Sequence, residues 1–327
     1  MDVLSALRDF EQLTGKPVTV LDGEIQDYAV TIQDLLSGKV QASQFLTGEL
    51  ADILTRDFGL KIDPPEAAPE WDFLYRMMET SPAFRQYCQA AHANPMIQIN
   101  EMDNETLELM FDLLRLVSSS RVLDVGCGNG YIAECISDRS GAQVTGIDIS
   151  PYAIQSASKR TKAKRERLAF RVGDINRLQA ALSGMAGIDT ILVLETLFAS
   201  TDLHRTIAEL SAFLPADGQM LFIANQHIDQ PETQGYRLLP EHTNIAEAIK
   251  KSGLPLKVFD ITTNKVRYLE SSIALLEQAK AAFIAEGQRD FWAARILYDR
   301  KMLKRVQNGL TRRFLYHVKK AGEPTGR

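Results

Sequence analysis

From residue 122 onward the apolar positions alternate between two rhythms. Short apolar runs at 122–125, 143–148, 168–172, 188–194, 220–224, 256–262 and 314–318 read as strands. Between them, stretches at 131–139, 151–165, 203–213, 243–252 and 266–306 repeat their apolar positions every three or four residues and read as helices, the last broken near Gly287. The run at 188–194 is apolar throughout, as in a strand covered on both faces. Strand and helix in alternation predict a doubly wound α/β fold around a mostly parallel sheet of seven strands. The punctuation agrees: Ser150-Pro151 pairs a capping hydroxyl with a proline at the first helical position. Pro215-Ala216-Asp217-Gly218 ends another helix in a turn, and 226–240 forms a long polar connection of the kind that often carries function.

Upstream of residue 121 the pattern is helical. The proline-rich stretch 63–69 separates a helical region at 1–65 from a helical lid or connector at 70–120, with helices expected at 71–91 and 105–116, and 121–327 forms the main domain. At 327 residues the chain has room for one large domain and this accessory region. A net charge of −5 leaves no footprint for nucleic acid or an anionic membrane. The basic run from Lys159 to Arg167 has no interleaved aromatics and reads as a solvated helix end. No apolar run is long enough to span a bilayer, and the charged first twelve residues do not resemble a signal peptide. Cys88, Cys127 and Cys135 make neither a CxxC pair nor a zinc spacing, so no metal site is expected and a reducing, cytoplasmic location fits best.

The chemistry concentrates at Arg121 to Gly130, Arg-Val-Leu-Asp-Val-Gly-Cys-Gly-Asn-Gly. A strand runs into Gly126, Gly128 and Gly130, and a helix starts at Tyr131. Alternate glycines let backbone approach a ligand closely, and the helix N-terminus turns its free N–H groups toward it. A dinucleotide loop needs G-x-G-x-x-G, and here the third glycine comes one residue early. Asp124 precedes the loop within the strand. Cys127, inside it, reads as a small packed side chain because no basic partner is evident. Asp148 closes the next strand, eighteen residues after Gly130, where a carboxylate can accept from both hydroxyls of a ribose. Ile149 beside it is a candidate for the face of a base.

Asp124-x-Gly126-x-Gly128-x-Gly130, followed by Asp148 and by Asp174 in Arg-Val-Gly-Asp-Ile-Asn, resembles the class I S-adenosylmethionine-dependent methyltransferases, bacterial small-molecule enzymes in particular. The resemblance covers about 81–319 and extends to Leu194-Glu195-Thr196-Leu197-Phe198 after the fourth strand and to Arg312-Arg313-Phe314-Leu315-Tyr316 near the end. It implies a Rossmann-like sheet whose last strand is antiparallel. S-adenosylmethionine is the implied cofactor, its methionine end at Asp124 and the loop with Cys127, its adenine at Asp174 and Ile175, with Leu194 in the same site. Glu195 and Phe198 stand where that group has Asp and Tyr, which puts the acceptor in question.

A sulfonium methyl is already activated, so the protein mainly positions a nucleophile and excludes water. Glu195 is the candidate base or acceptor-orienting carboxylate, and His227, just past the fifth strand, is the candidate imidazole base. Trp71, Tyr87 and Gln98 fall where such enzymes carry a lid, and Tyr236 and Arg237 lie in the long connection. The expected partner is a small-molecule methyl acceptor, with homodimerisation through the N-terminal helices. An NAD-dependent oxidoreductase and a non-catalytic cofactor-binding regulator on the same fold are the alternatives.

Overall fold

The computed structural model describes residues 68–320, together with a short antiparallel ladder pairing Val20–Leu21 with Glu24–Ile25. The helices expected over 1–65 lie outside the described residues. Seven strands form one sheet: β1 Arg121–Val125, β2 Gln143–Asp148, β3 Leu168–Val172, β4 Thr190–Leu194, β5 Gln219–His227, β6 Leu256–Asp260 and β7 Thr311–Lys319. Their order is β3-β2-β1-β4-β5-β7-β6. The pairs among β1 to β5 are parallel, and β7 runs antiparallel to both β5 and β6. From β1 the chain winds outward to β2 and β3, then crosses back to β4. Between β1 and β4 the connections therefore leave in opposite directions, opening the crevice in which such sheets bind ligands.

Period-two alternation sorts the strand residues between two helical layers. Leu123, Val125, Ile191 and Phe222 face a core closed by α6 (Leu203–Ala212) and α7 (Asn244–Lys251). Val122, Val144, Leu192 and Leu221 face the other core, closed by α3 (Asn104–Leu114) and α4 (Tyr131–Ser140). A third cluster joins α1 (Ala68–Thr80) and α2 (Pro82–His92) to the long pair α8 (Thr262–Ala285) and α9 (Arg289–Gln307), with Phe84, Phe283 and Trp292 at its centre. This helical cap stands over the carboxyl ends of the strands. It decides what reaches the crevice.

Three local outcomes depart from the pattern reading. The single helix expected at 71–91 is two, broken at Ser81-Pro82. Ser81 Oγ accepts the Phe84 N–H at 3.0 Å, and proline takes the first helical position. The hydroxyl of Ser81 and the N–H of Ala83 both donate to Glu286, tying α2 to the end of α8. Ser81→Ala is expected to lower stability by about 1–2 kcal/mol, the range for a lost cap. Urea unfolding would measure it, and an unchanged midpoint would mean the break is held elsewhere.

The helix α5 (Pro151–Arg160) ends five residues before the expected 165. There the Thr161 hydroxyl bonds back to Ala157 O, and the basic run folds onto α4: Arg160 and Lys164 grip Glu134, and Lys164 also reaches Asp138. The run is thus a set of partly exposed ion pairs rather than a helix continuation. Finally, β5 extends to His227 because β7 pairs with it along nine residues, from Gln219 opposite Lys319 to His227 opposite Thr311.

Candidate active site

Leaving β1, the chain turns at Gly126, whose φ of +77° is left-handed. A Cβ there would fall 2.1 Å from Thr196 Oγ1, so the turn also lets the β1 and β4 loops touch. At Gly128, with φ +54°, a Cβ would meet the Tyr75 hydroxyl at 2.6 Å. Cys127 turns its sulfur against Gly146, where a Cβ would approach within 2.6 Å. Burial, then the Asp124 and Asp148 charges, push that thiol well above its ordinary range, consistent with a packing role. The helix that follows, α4, has no side-chain cap. Its first-turn N–H groups are left for a ligand.

Asp148 ends β2 beside this loop. Its Oδ2 accepts the Gly128 N–H at 2.8 Å and its Oδ1 the Ser150 N–H at 2.9 Å. Burial raises its pKa while those two donors pull it down. A carboxylate offers about four acceptor sites, so roughly two remain for the vicinal hydroxyls of a ribose. Asp174 caps the turn after β3 by accepting the Asn176 N–H at 2.8 Å, and Ile175 beside it is buried. Ile149, Asp174, Ile175 and Leu194 line one cavity with Asp148 and the glycine loop. Asp124 sits behind that wall, 2% exposed, its carboxyl raised to about 7 by burial and by the Asp148 charge.

The cavity, about 960 Å³, runs from Asp148 past Gly128 to Glu195 and on to Tyr298. That is near the upper end of the ~300–1,000 Å³ usual for small-molecule sites, with room for a second molecule beside a nucleoside. Trp71, Tyr87 and Gln98 stand on its wall. Tyr236 and Arg237 are not among the lining residues; Arg237 bonds Asn244 Oδ1.

Glu195 also lies on the wall, in a left-handed conformation with φ +58°. Such a conformation costs on the order of 1–3 kcal/mol and needs external support. Oε1 accepts from the fully buried Arg313, and Oε2 accepts the Glu101 N–H at 3.1 Å. Arg313 also donates to Glu101 O, and Lys265 donates to the Glu101 carboxylate. The result is a clamp joining residue 101, the end of β4, the start of α8 and β7. His227, at the exposed end of β5, lines the cavity with Nδ1 2.8 Å from Thr311 Oγ1.

Several participants had no signal of their own. Asp72 on α1 accepts the Ser150 hydroxyl at 2.5 Å and the Tyr152 N–H at 3.0 Å, fastening α1 across the N-terminus of α5. That places Tyr75 over the glycine loop. Glu101, Lys265 and Arg313 come from distant parts of the chain, and only the fold makes them neighbours. No group of His, Cys, Asp and Glu side chains suited to a metal occurs among the described residues. No described helix is long and apolar enough to cross a membrane.

A sheet of this order, with a buried carboxylate at the end of β2 bonded to a glycine loop after β1, has the class I methyltransferase fold. Residues 116–277 match the family model described as a methyltransferase domain, and the chain therefore carries a class I S-adenosylmethionine-dependent methyltransferase domain. The chain is 30% identical over 126 residues to a ubiquinone biosynthesis O-methyltransferase of Xanthomonas euvesicatoria, covering 38% of this chain and 51% of that protein. It is 34% identical over 122 residues to a malonyl-[acyl-carrier protein] O-methyltransferase of Acetivibrio thermocellus, covering 36% and 41%. The chain thus spans about half the length of the curated relatives it matches. A phosphoethanolamine N-methyltransferase of Haemonchus contortus, solved with S-adenosylhomocysteine, superposes with a TM-score of 0.61 at 19% identity, over 76% of this chain and 59% of that one. At that identity the likeness shows the shared fold.

Proposed function

We propose that the chain binds S-adenosylmethionine along the carboxyl edge of β1, β2 and β3 and transfers its methyl group to a small organic acceptor. The observation that carries this reading is Asp148, buried at the β2 end with one backbone N–H on each oxygen and its other lone pairs available to a ribose. When bound, the cofactor supplies an electrophilic methyl on a positively charged sulfur. Asp148 would hold the ribose, Ile149 and Ile175 would pack on the base, and Asp174 would accept from its amino group. The loop at Gly126 to Gly128 and the uncapped α4 terminus receive the amino-acid end. α1 closes over the loop through Asp72 and keeps water from the sulfur.

The acceptor then lies between Glu195 and the helical cap. An acceptor held there would take the methyl group that the bound cofactor supplies, leaving the demethylated cofactor, and a hydroxyl or amine acceptor would release one proton. Glu195, engaged on both oxygens, orients that pocket rather than collecting the proton. His227 is the imidazole within reach of the same cavity. The NAD-dependent alternative has no support, since the chain's last strand inserts antiparallel between β5 and β6 and the matched model is a methyltransferase domain. A catalytic role is distinguished from a purely regulatory one by turnover of the cofactor to S-adenosylhomocysteine in a metabolite extract.

Calorimetric titration with S-adenosylmethionine and S-adenosylhomocysteine tests the assignment. Asp148→Ala is expected to weaken both by about 1–3 kcal/mol, roughly 5- to 150-fold. Unchanged affinity in a folded Asp148→Ala protein would place the nucleoside elsewhere. The free cysteines Cys88, Cys127 and Cys135 suit a reducing, cytoplasmic location. A homodimer built through residues 1–65 is the proposed assembly, and light scattering of the full chain and of a chain starting at residue 66 would check it.

A further inference from the structure

The far end of the cavity, beyond Glu195, is walled by α2, α8 and α9 and presents Phe84, Tyr87, Tyr268, Phe291, Arg295 and Tyr298. Most of its charged groups come in opposed pairs. Lys265 meets the Glu101 carboxylate, Arg313 meets Glu195, and Arg295 meets Asp299 with Nε 3.2 Å from Oδ1. Asp299 is the acceptor end of a donor chain: Tyr87 and Ser272 hydroxyls lie 2.5 Å apart, and Ser272 donates onward to Asp299. Burial raises the Asp299 pKa, while the Arg295 guanidinium and then the Ser272 hydroxyl pull it back toward the charged form that pairs with Arg295. Three acids and three bases therefore cancel around this end of the pocket.

A ligand with a formal charge would bring it into this largely buried end with no unpaired counter-charge to meet it, and uncompensated buried charge is strongly unfavourable. An uncharged ligand avoids that cost. Two groups keep hydrogen-bond donors for such a ligand. Arg295 spends Nε on Asp299 and one N–H of Nη2 on the Tyr268 hydroxyl at 3.1 Å, and it has five N–H donors in all. The Tyr298 hydroxyl makes no hydrogen bond among the described residues, and burial followed by the Glu101 charge keeps it protonated. The guanidinium only donates and the hydroxyl can donate, so together they suit an oxygen that accepts. The remaining wall is aromatic, which suits a flat apolar body. At the mouth, Trp71 and the 73% exposed Phe198 stand with ring centres 6.3 Å apart, continuing the aromatic lining outward.

Resting on the methyl-transfer reading above, we infer that this end is the acceptor subsite, that it selects an uncharged, planar aromatic compound, and that Arg295 and Tyr298 hold an oxygen of that compound. Neither residue belongs to the cofactor half of the cavity. The selection is by charge balance rather than by a charged anchor.

Three phenols of similar size test it by calorimetry on full-length protein loaded with S-adenosylhomocysteine: methyl 4-hydroxybenzoate, which is neutral, 4-hydroxybenzoate, an anion, and tyramine, a cation. The neutral ester is expected to bind at least tenfold more tightly than either charged probe. Tyr298→Phe, which removes no protein hydrogen bond, should weaken the ester several-fold and leave S-adenosylhomocysteine binding unchanged. Asp299→Asn leaves Arg295 uncompensated and should move the preference toward 4-hydroxybenzoate, and Arg295→Met should move it toward tyramine. Far-ultraviolet circular dichroism and cofactor affinity report whether each variant is folded. A charged probe binding as tightly as the ester, no ester binding at millimolar concentration, or no effect of Tyr298→Phe would overturn the inference. Loss of S-adenosylhomocysteine binding in the unaltered protein would instead overturn the cofactor assignment, and ester binding without cofactor would still report on the subsite.

Discussion

Lys265→Met is expected to lower the unfolding free energy by about 3–5 kcal/mol, the usual cost of removing one partner of a buried ion pair. Lys265 is fully buried, and its ammonium donates to Glu101, itself 4% exposed. Burial pushes the Glu101 carboxyl up, but Lys265 and then Arg313 outweigh it and hold the pKa below its ordinary value. Without Lys265, the guanidinium Nε of Arg313 stands 4.0 Å from the Glu101 carboxylate and must serve Glu195 as well. Burial then dominates and the carboxyl rises.

The sign of the pH dependence follows. In the unaltered protein the depressed pKa contributes stability above the ordinary carboxyl range, and that contribution is lost as pH falls through the folded value. In Lys265→Met the ionised form is the unfavourable one, so the deficit should be largest near pH 8 and shrink with acidification. The double variant Glu101→Leu/Lys265→Met should recover much of the loss, since an apolar pair needs no compensation. Urea unfolding of the three proteins at pH 8 and pH 5.5 measures both effects. A single-variant loss below about 1 kcal/mol, within the range of an exposed pair, would mean that water reaches the clamp.

That clamp also shows where sequence reading stops. The strand and helix rhythm, the glycine loop, Asp148 and Asp174 were legible because each is local: a strand end, a turn and a cap, set within a few residues of one another. The antiparallel β7 was legible only through resemblance, as the runs at 256–262 and 314–318 carry no mark of direction. Glu195 was picked out by its place after β4, yet its engagement depends on Arg313, 118 positions away, and on the backbone of Glu101. Nothing at either position announces the other. Arg313 lies in a motif similar to that of the family, but its pattern does not say that the guanidinium points inward. The break at Ser81-Pro82 differs in kind. It carries the same hydroxyl-then-proline signature that marks Ser150-Pro151, and the apolar periodicity running through it concealed the boundary.

Asp124→Asn is expected to move stability and cofactor affinity in opposite directions. The Asp124 carboxyl is raised to about 7 by burial and by the neighbouring Asp148. For a carboxyl raised on folding, the favourable contribution is complete below the unfolded pKa and is lost as pH rises through the folded one. A shift of about three units corresponds to on the order of 4 kcal/mol carried against folding once Asp124 is ionised. Asparagine has nearly the same shape and no charge to bury, so at pH 8 the variant should be more stable by a few kcal/mol. The gain should fade as pH drops toward the ordinary carboxylate range. The same missing charge removes the counter-ion for the α-amino group of S-adenosylmethionine, whose methionine end the proposed mode places by this loop. The variant should therefore bind it at least tenfold more weakly at pH 8. In the unaltered protein, affinity should rise as pH increases through about 7, because only ionised Asp124 attracts that ammonium from behind the loop, and the variant should show a flatter profile. Thermal unfolding and calorimetry on the same samples separate the two effects. Lower stability at pH 8, or unaltered affinity, would show that Asp124 is a structural acid with no part in holding the cofactor. Opposite signs would mean that a buried charge costly to the empty fold is kept for what it binds.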